Sequence, residues 1–330
     1  MVVRPRAVLI GAGLVVLALI LACIDLATGE FTLPLRTIVD VFGGDGTKPQ
    51  RFIVLDVRLP RVLLGALVGA ALGIAGALTQ STLRNPLAAP DILGITSGAS
   101  VTAIAVIVFA GAGTVGVPAA ALVGGVVTAA TIYALSWRTG LDGFRLVLIG
   151  IGVNAMLVAA VNWLLIYAKI EDVARAQVWL NGSLNGADWT QFWTLATGFV
   201  IAVGLAAWSA PTLWVLRFGD DKARSLGVRL QLRQGVILFA AVALASLATA
   251  ATGPVGFVAL TAPQIARRLL RTPVEPIVGS ALVGAVLVLA GDIVTKSLLP
   301  VPLPVGIATS ALGGIFLLYL LVSTNRKATV

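Results

Sequence analysis

Two arginines, Arg58 and Arg61, flank Leu59 and Pro60 at the start of a long apolar run. Residues three apart share a helix face, and proline favours the first turn of a helix. The helix dipole disfavours cations at that end by about 0.3–1 kcal/mol each. Two cations so placed predict an anionic partner: the acidic surface of another protein, lipid headgroups reached by snorkelling, or the nearby Asp56. Asp292 is a carboxylate within an apolar run, which makes it a functional candidate. Lys296, four residues on, is spaced to pair with it on one helix face. Asn154 and Asn162 lie on the same half of another apolar run, where they line a pathway or bond neighbouring helices. The stretch 216–232, LRFGDDKARSLGVRLQL, is rich in charge. Asp220 or Asp221 can cap a short helix ending at Gly227, with a second short helix after it. That shape suits either a protein-docking knob or a solvated connection.

Other chemistry is missing from the residue inventory. The chain has no His, one Cys (Cys23) and 14 Asp and Glu, which are scattered. That excludes an internal disulfide, His/Cys metal clusters and Ser-His-Asp or Cys-His nucleophilic machinery. No phosphate-binding loop of the P-loop type is present, so ATP chemistry is not expected in this chain and no cofactor is expected of it.

The elements that must position these residues are membrane-spanning helices. Of 330 residues, 58% are hydrophobic and 11% charged, against about 25% charged in soluble domains. Such a chain cannot clothe a water-facing surface, and it is not a nucleic-acid binder despite its net charge of +9. Apolar runs fall at about 7–27, 60–80, 93–112, 117–137, 145–168, 191–215, 233–252, 254–270, 275–297 and 303–323. Each approaches the roughly 20 residues of a spanning helix; the eighth is interrupted by Gly253, Pro254 and Pro263. The expectation is an all-α polytopic membrane protein of about ten transmembrane helices, one domain over 1–330. Arg4 and Arg6 precede a first run longer than a signal core, which reads as a retained span. With the N-terminus inside and alternating spans, 15 of the 23 Lys and Arg fall inside and 8 outside. That bias places both termini in the cytoplasm, with basic loops meeting anionic membrane lipid. Gly65, Gly69 and Gly73 recur every four residues, with Gly76 behind them, in the second run. Small residues let helices approach closely in lipid, so this span is expected at the centre.

These segments also carry a resemblance. RLPRVLLGALVGAALGIAGALTQSTLRNPLAAPDILGITSGA at 58–99, RLVLIGIGVNAML at 145–157, WLNGSLNGADW at 179–189, ARSLGV at 223–228, GPVGFVALTAPQIARR at 253–268 and LPVGIATSALGGIFLLYLL at 303–321 resemble the permeases of iron–siderophore ABC importers. That family also includes the cobalamin importer permease. The resemblance runs over essentially the whole chain and implies a type II ABC importer permease fold with ten spans and cytoplasmic ends. It implies that Arg58, Arg61 and Lys296 meet acidic residues of an extracytoplasmic siderophore-binding protein. It implies that a loop at about 216–234, centred on Ala223, Arg224, Leu226 and Gly227, docks on the ATPase. Asn154, and with it Asn162, becomes a pathway candidate. The implied partners are a second, similar permease, two ATP-binding subunits that hold ATP and magnesium, and the ferric siderophore itself. The Gly-Ser-Leu-Asn-Gly stretch looks closest to ferric enterobactin permeases, which implies a catecholate-type chelate. Pro263-Gln264 stands where the family usually has Pro-His, leaving only hydrogen bonding to that side chain.

Two other classes fit less well. An ion-coupled secondary transporter wants ionisable groups at the membrane midplane, and Asp292 lies near a span end. A membrane-embedded enzyme wants a catalytic constellation, and none is visible.

Overall fold

The computed structural model describes residues 5–29, 31–91, 93–110, 116–137, 143–216, 225, 229–273, 275–298, 301 and 303–328. Every regular element among them is helical. In chain order they are α1 (Pro5–Ala27), α2 (Leu35–Gly43), α3 (Lys48–Arg51), a π-helical turn (Phe52–Arg58), α4 (Leu59–Leu83), α5 (Ile95–Phe109), α6 (Gly116–Ser136), α7 (Gly143–Tyr167), α8 (Ile170–Leu180) and α9 (Trp189–Leu216). There follow α10 (Leu230–Thr252), α11 (Val258–Leu270), α12 (Ile277–Ile293), a second π turn (Val294–Leu298) and α13 (Val305–Ala328).

Among the described residues, seven helical stretches are long and apolar enough to cross a membrane: Pro5–Ala27, Lys48–Leu83, Gly116–Ser136, Gly143–Tyr167, Trp189–Leu213, Leu230–Thr252 and Ile277–Ser297. Ile95–Phe109 and Val305–Tyr319 are shorter apolar helices. The eighth apolar run gives a helix shortened at its start. Gly253 and Phe257 adopt positive φ of 75° and 65°, so α11 begins only at Val258. Its 13 residues span about 20 Å at 1.5 Å per residue, short of a hydrocarbon core of about 30 Å.

The glycine stripe does what its spacing predicts. The Lys48–Leu83 rod is the most buried of the seven stretches. Gly69 lies backbone to backbone with Gly284 of α12, Gly73 with Ser280, and Gly76 with Ala259 of α11. A Cβ at any of the three would overlap a facing carbonyl oxygen. Leu64, Val68, Leu78, Leu244 and Val258 fill the remaining central space. Buried hydroxyls within helices are answered locally: Thr79, Thr249 and Thr252 donate to Ala75, Ala245 and Ala248 carbonyls four residues back. Such back-bonding lets a small polar residue sit in an apolar bundle without an outside partner.

The interval 28–57, polar in sequence, holds an amphipathic helix. In α2, Ile38 and Val41 are buried while Leu35, Val39 and Phe42 are exposed.

Candidate functional site: a charged cluster at one end of the bundle

Pro60 does not start a helix. The rod begins at Lys48, after Thr47 and Gln50 form a capping box, and runs through the Phe52–Arg58 π turn into α4. The expected helix N-terminus at Arg58 is therefore absent, and the dipole penalty with it. The π turn has a cause in proline chemistry. Leu59 N–H bonds the Val54 carbonyl five residues back, and Pro60, next in that pattern, has no N–H to give Leu55. The indole Nε1 of Trp189 donates to the Leu55 carbonyl instead, at 3.1 Å. Trp189 thus completes a backbone that the proline leaves open. Nothing in the residue pattern signalled it except Pro60 itself.

Because the π turn ends at Arg58, the two arginines do not share a partner. Arg58 is 8% exposed and turns toward the end of α1. Its Nη1 donates to the Leu26 carbonyl at 2.7 Å and its Nη2 to the Phe31 carbonyl at 2.5 Å. Asp56 is not its partner. Arg61 turns toward α12: Nε and Nη2 donate to Asp292 Oδ2 and Oδ1 at 2.9 and 2.8 Å. Its Nη1 donates to Asn185 Oδ1 at 2.7 Å. This bidentate fork is the strong geometry for an arginine–carboxylate pair.

The expected Asp292–Lys296 pair does not form. The Val294–Leu298 π turn begins two residues after Asp292, and its wider winding carries Lys296 off the face that α-helical i,i+4 spacing provides. Lys296 Nζ bonds the carboxylate of Asp25 on α1 and also donates to the Asp25 carbonyl at 2.9 Å. The cluster thus sets three cations, Arg58, Arg61 and Lys296, beside two buried carboxylates, Asp25 and Asp292. It fastens α1, α4 and α12 together at one end. One buried oxygen, Asp25 Oδ2, has no hydrogen-bond partner among the described residues.

The Asn185 partner of Arg61 belongs to a loop that three motif segments build together. Gly182, at φ 65°, accepts from Gly306 N–H at 3.1 Å, and Ser183 N–H donates to the Thr252 carbonyl at 2.7 Å. A Cβ at Gly182 would press on the Pro254 carbonyl, and one at Gly306 on that of Asn181. Asp188 then caps α9, its Oδ1 accepting from Gln191 N–H at 2.7 Å.

The remaining candidates are dispersed. Asn154 is half-buried and accepts from Ser97 Oγ at 2.5 Å, joining α7 to α5. Asn162 lies on the exposed side of α7. Gln264 donates to Gln80 Oε1 at 2.6 Å, and Gln80 donates to the Leu260 carbonyl at 3.0 Å; the Pro-Gln variant of the motif therefore keeps a buried hydrogen-bond role. Ala223, Arg224, Leu226 and Gly227 lie outside the described residues. Among the described residues no group of three or more His, Cys, Asp or Glu could hold a metal ion.

Comparison with known proteins fits this architecture. The chain is 40% identical to the ferric enterobactin transport system permease protein FepG of Escherichia coli, over 99% of this chain and 100% of the relative. It is 39% identical to the achromobactin transport system permease protein CbrC of Dickeya dadantii, over 95% and 90% of the two chains. It is 36% identical to the iron(3+)-hydroxamate import system permease protein FhuG of Bacillus subtilis, over 88% and 90%. A solved metal-chelate-type ABC transporter in an inward-facing conformation superposes with a TM-score of 0.83 at 28% identity, covering 95% of this chain and 99% of the other. PsaBC of Streptococcus pneumoniae, at 13% identity and a TM-score of 0.53 over 86% and 94% of the chains, shares the fold. The FecCD transport family matches residues 16–323, and with relatives of this similarity aligned nearly end to end, the chain belongs to that family of ABC-transporter permease subunits, which are not enzymes.

Proposed function

We propose that this chain is the membrane-spanning subunit of an ATP-driven importer that carries a ferric siderophore, of catecholate type, across the cytoplasmic membrane by alternating access. The supporting observation is the end-to-end 40% identity to the ferric enterobactin permease. In this reading α5, α11 and α13 complete ten crossings and both termini are cytoplasmic. Arg58, Arg61 and Lys296 then sit at the outer end, where a siderophore-binding protein brings its carboxylates. The segment 216–234, with Ala223, Arg224, Leu226 and Gly227, sits at the inner end and engages one of two ATP-binding subunits, which hold ATP and magnesium. The exposed side of α7, with Asn162, faces a second, similar permease, and the two line the pathway near Asn154. The chelate carries the iron, so the pathway needs a cavity and no metal ligands.

The test is uptake of labelled iron by the reconstituted complex, offered catecholate, hydroxamate and citrate chelates, with cobalamin in competition. Preferred uptake of the catecholate is expected. Preference for another chelate, or for cobalamin, overturns the substrate assignment. Reversal of both arginines to glutamate is expected to slow binding-protein capture, most at low salt; capture at the parent rate removes them from docking.

A further inference from the structure

Two adjoining cavities lie at the end of the bundle opposite the charged cluster. The first, of about 600 Å³, runs between α6 and α10 and is lined by apolar side chains such as Ala130, Leu146, Val236 and Val242. On α10 it extends from Gln231 to Val242, about 16 Å along the axis. That is half of a hydrocarbon core of about 30 Å, the depth of one leaflet. Its rim residues Leu232 and Phe239 are exposed. The second cavity, of about 500 Å³, lies between α9 and α10 and is lined by Trp208, Pro211, Thr212, Val215, Arg229, Leu232 and Arg233. Leu232 lines both, so they adjoin at that side chain.

The polar part of this space is cationic. Arg233 stacks its guanidinium 3.7 Å from the Trp208 ring centroid and donates Nη1 to the Trp208 carbonyl at 3.0 Å. Arg229, the N-cap residue just before α10, lies one turn before it and is exposed. Among the described residues neither arginine pairs with a carboxylate. Two like charges one turn apart repel unless an anion lies between them. An amphipathic tryptophan belongs at the membrane–water interface, and basic pockets between spanning helices seat anionic lipid headgroups.

We propose that this composite cleft is a specific site for an anionic phospholipid. The phosphodiester sits between Arg229 and Arg233, and one acyl chain lies in the α6–α10 groove beyond Leu232. The charge pattern selects the class: a zwitterionic headgroup brings its own cation to a pocket that already holds two. The site lies where α9 ends and α10 begins.

The test uses the full-length permease in detergent, stripped of lipid and titrated with phosphatidylglycerol or phosphatidylcholine under native mass spectrometry. The parent is expected to bind one phosphatidylglycerol in preference to phosphatidylcholine. Arg229→Gln with Arg233→Gln should weaken it about thirtyfold. Gly235→Leu leaves both arginines in place and fills the groove, since a Cβ there meets only the Tyr133 hydroxyl, at 3.7 Å. It should weaken phosphatidylglycerol binding while the unfolding temperature stays that of the parent. Equal binding of the two lipids by the parent overturns the proposal. So does parent-like phosphatidylglycerol binding in the double arginine variant or in Gly235→Leu.

Discussion

Lys296 bonds the carboxylate of Asp25, 271 positions away in the chain, and leaves Asp292, four positions away, to Arg61. Arg61 and Lys296 are thus neutralised from within the chain. In the docking proposed above, a binding protein would share or displace these internal carboxylates before its own engage. Asp25→Asn keeps an oxygen for Lys296 while removing the competing charge. Association of the binding protein is expected to rise on the order of threefold at low salt, measured by surface-immobilised capture. An unchanged or lower rate rejects competition by Asp25.

The Arg61–Asp292 fork is also expected to hold the bundle together. Removing one member of a buried pair strands the other, at a typical cost of about 3–5 kcal/mol. Asp292→Ala should lower the unfolding temperature sharply. Arg61→Leu combined with Asp292→Leu should recover most of the loss, because two apolar groups leave no buried charge. Equal losses in the single and double variants would mean that packing volume, and not the ion pair, sets the cost.

Trp189→Phe keeps the ring and removes the donor to Leu55. Leaving a buried carbonyl unsatisfied costs about 1–3 kcal/mol; the Leu55 bond is part-buried, so a loss toward the lower end of that range should appear in thermal unfolding. Faster hydrogen exchange at the Phe52–Arg58 turn should accompany it, since that turn loses its brace. Exchange equal to the parent's would show that the indole bond is dispensable.

Gly76→Ala places a methyl group against the Ala259 carbonyl, which belongs to rigid helix backbone. Overpacking of this kind costs about 1–3 kcal/mol. Gly152→Ala is the matched control, because nothing lies within 4 Å of its Cβ position. Similar unfolding temperatures for the two variants would contradict the close approach of α4 and α11.

Gly227→Pro is expected to leave the protein inserted and abolish iron uptake. The sequence predicts a glycine bend here between two short helices, a place that a residue with fixed φ and no N–H would not fit. Normal uptake, with the ATPase subunit still bound, would remove this residue from coupling.

The helical class and the central place of the second span were legible because each rests on a pattern that survives tertiary context. Apolar run length marks spanning helices, and the four-residue glycine repeat marks close packing. The charged cluster was legible only as a set of residues. Arg58, Arg61, Asp292 and Lys296 stood out as charges in apolar runs, but their pairing depends on two π turns that change which residues share a face. Asp25, inside the first run, drew no notice because its partner lies at the far end of the chain. The shortened α11 follows from positive φ at Phe257, a conformation no propensity assigns to phenylalanine. Trp189 escaped because its role is to answer a carbonyl left open by a proline in another segment.

The contact of Gly69 with Gly284 and of Gly73 with Ser280 has a mechanical meaning. Packed helices usually slide past one another by small adjustments of interdigitated side chains. Between α4 and α12 there is little side chain to adjust, because the facing surfaces are backbone. The two helices are therefore welded into a single stiff spar, fastened again at its tip by Arg61 and Asp292. In the alternating access proposed above, that spar is expected to move as one piece.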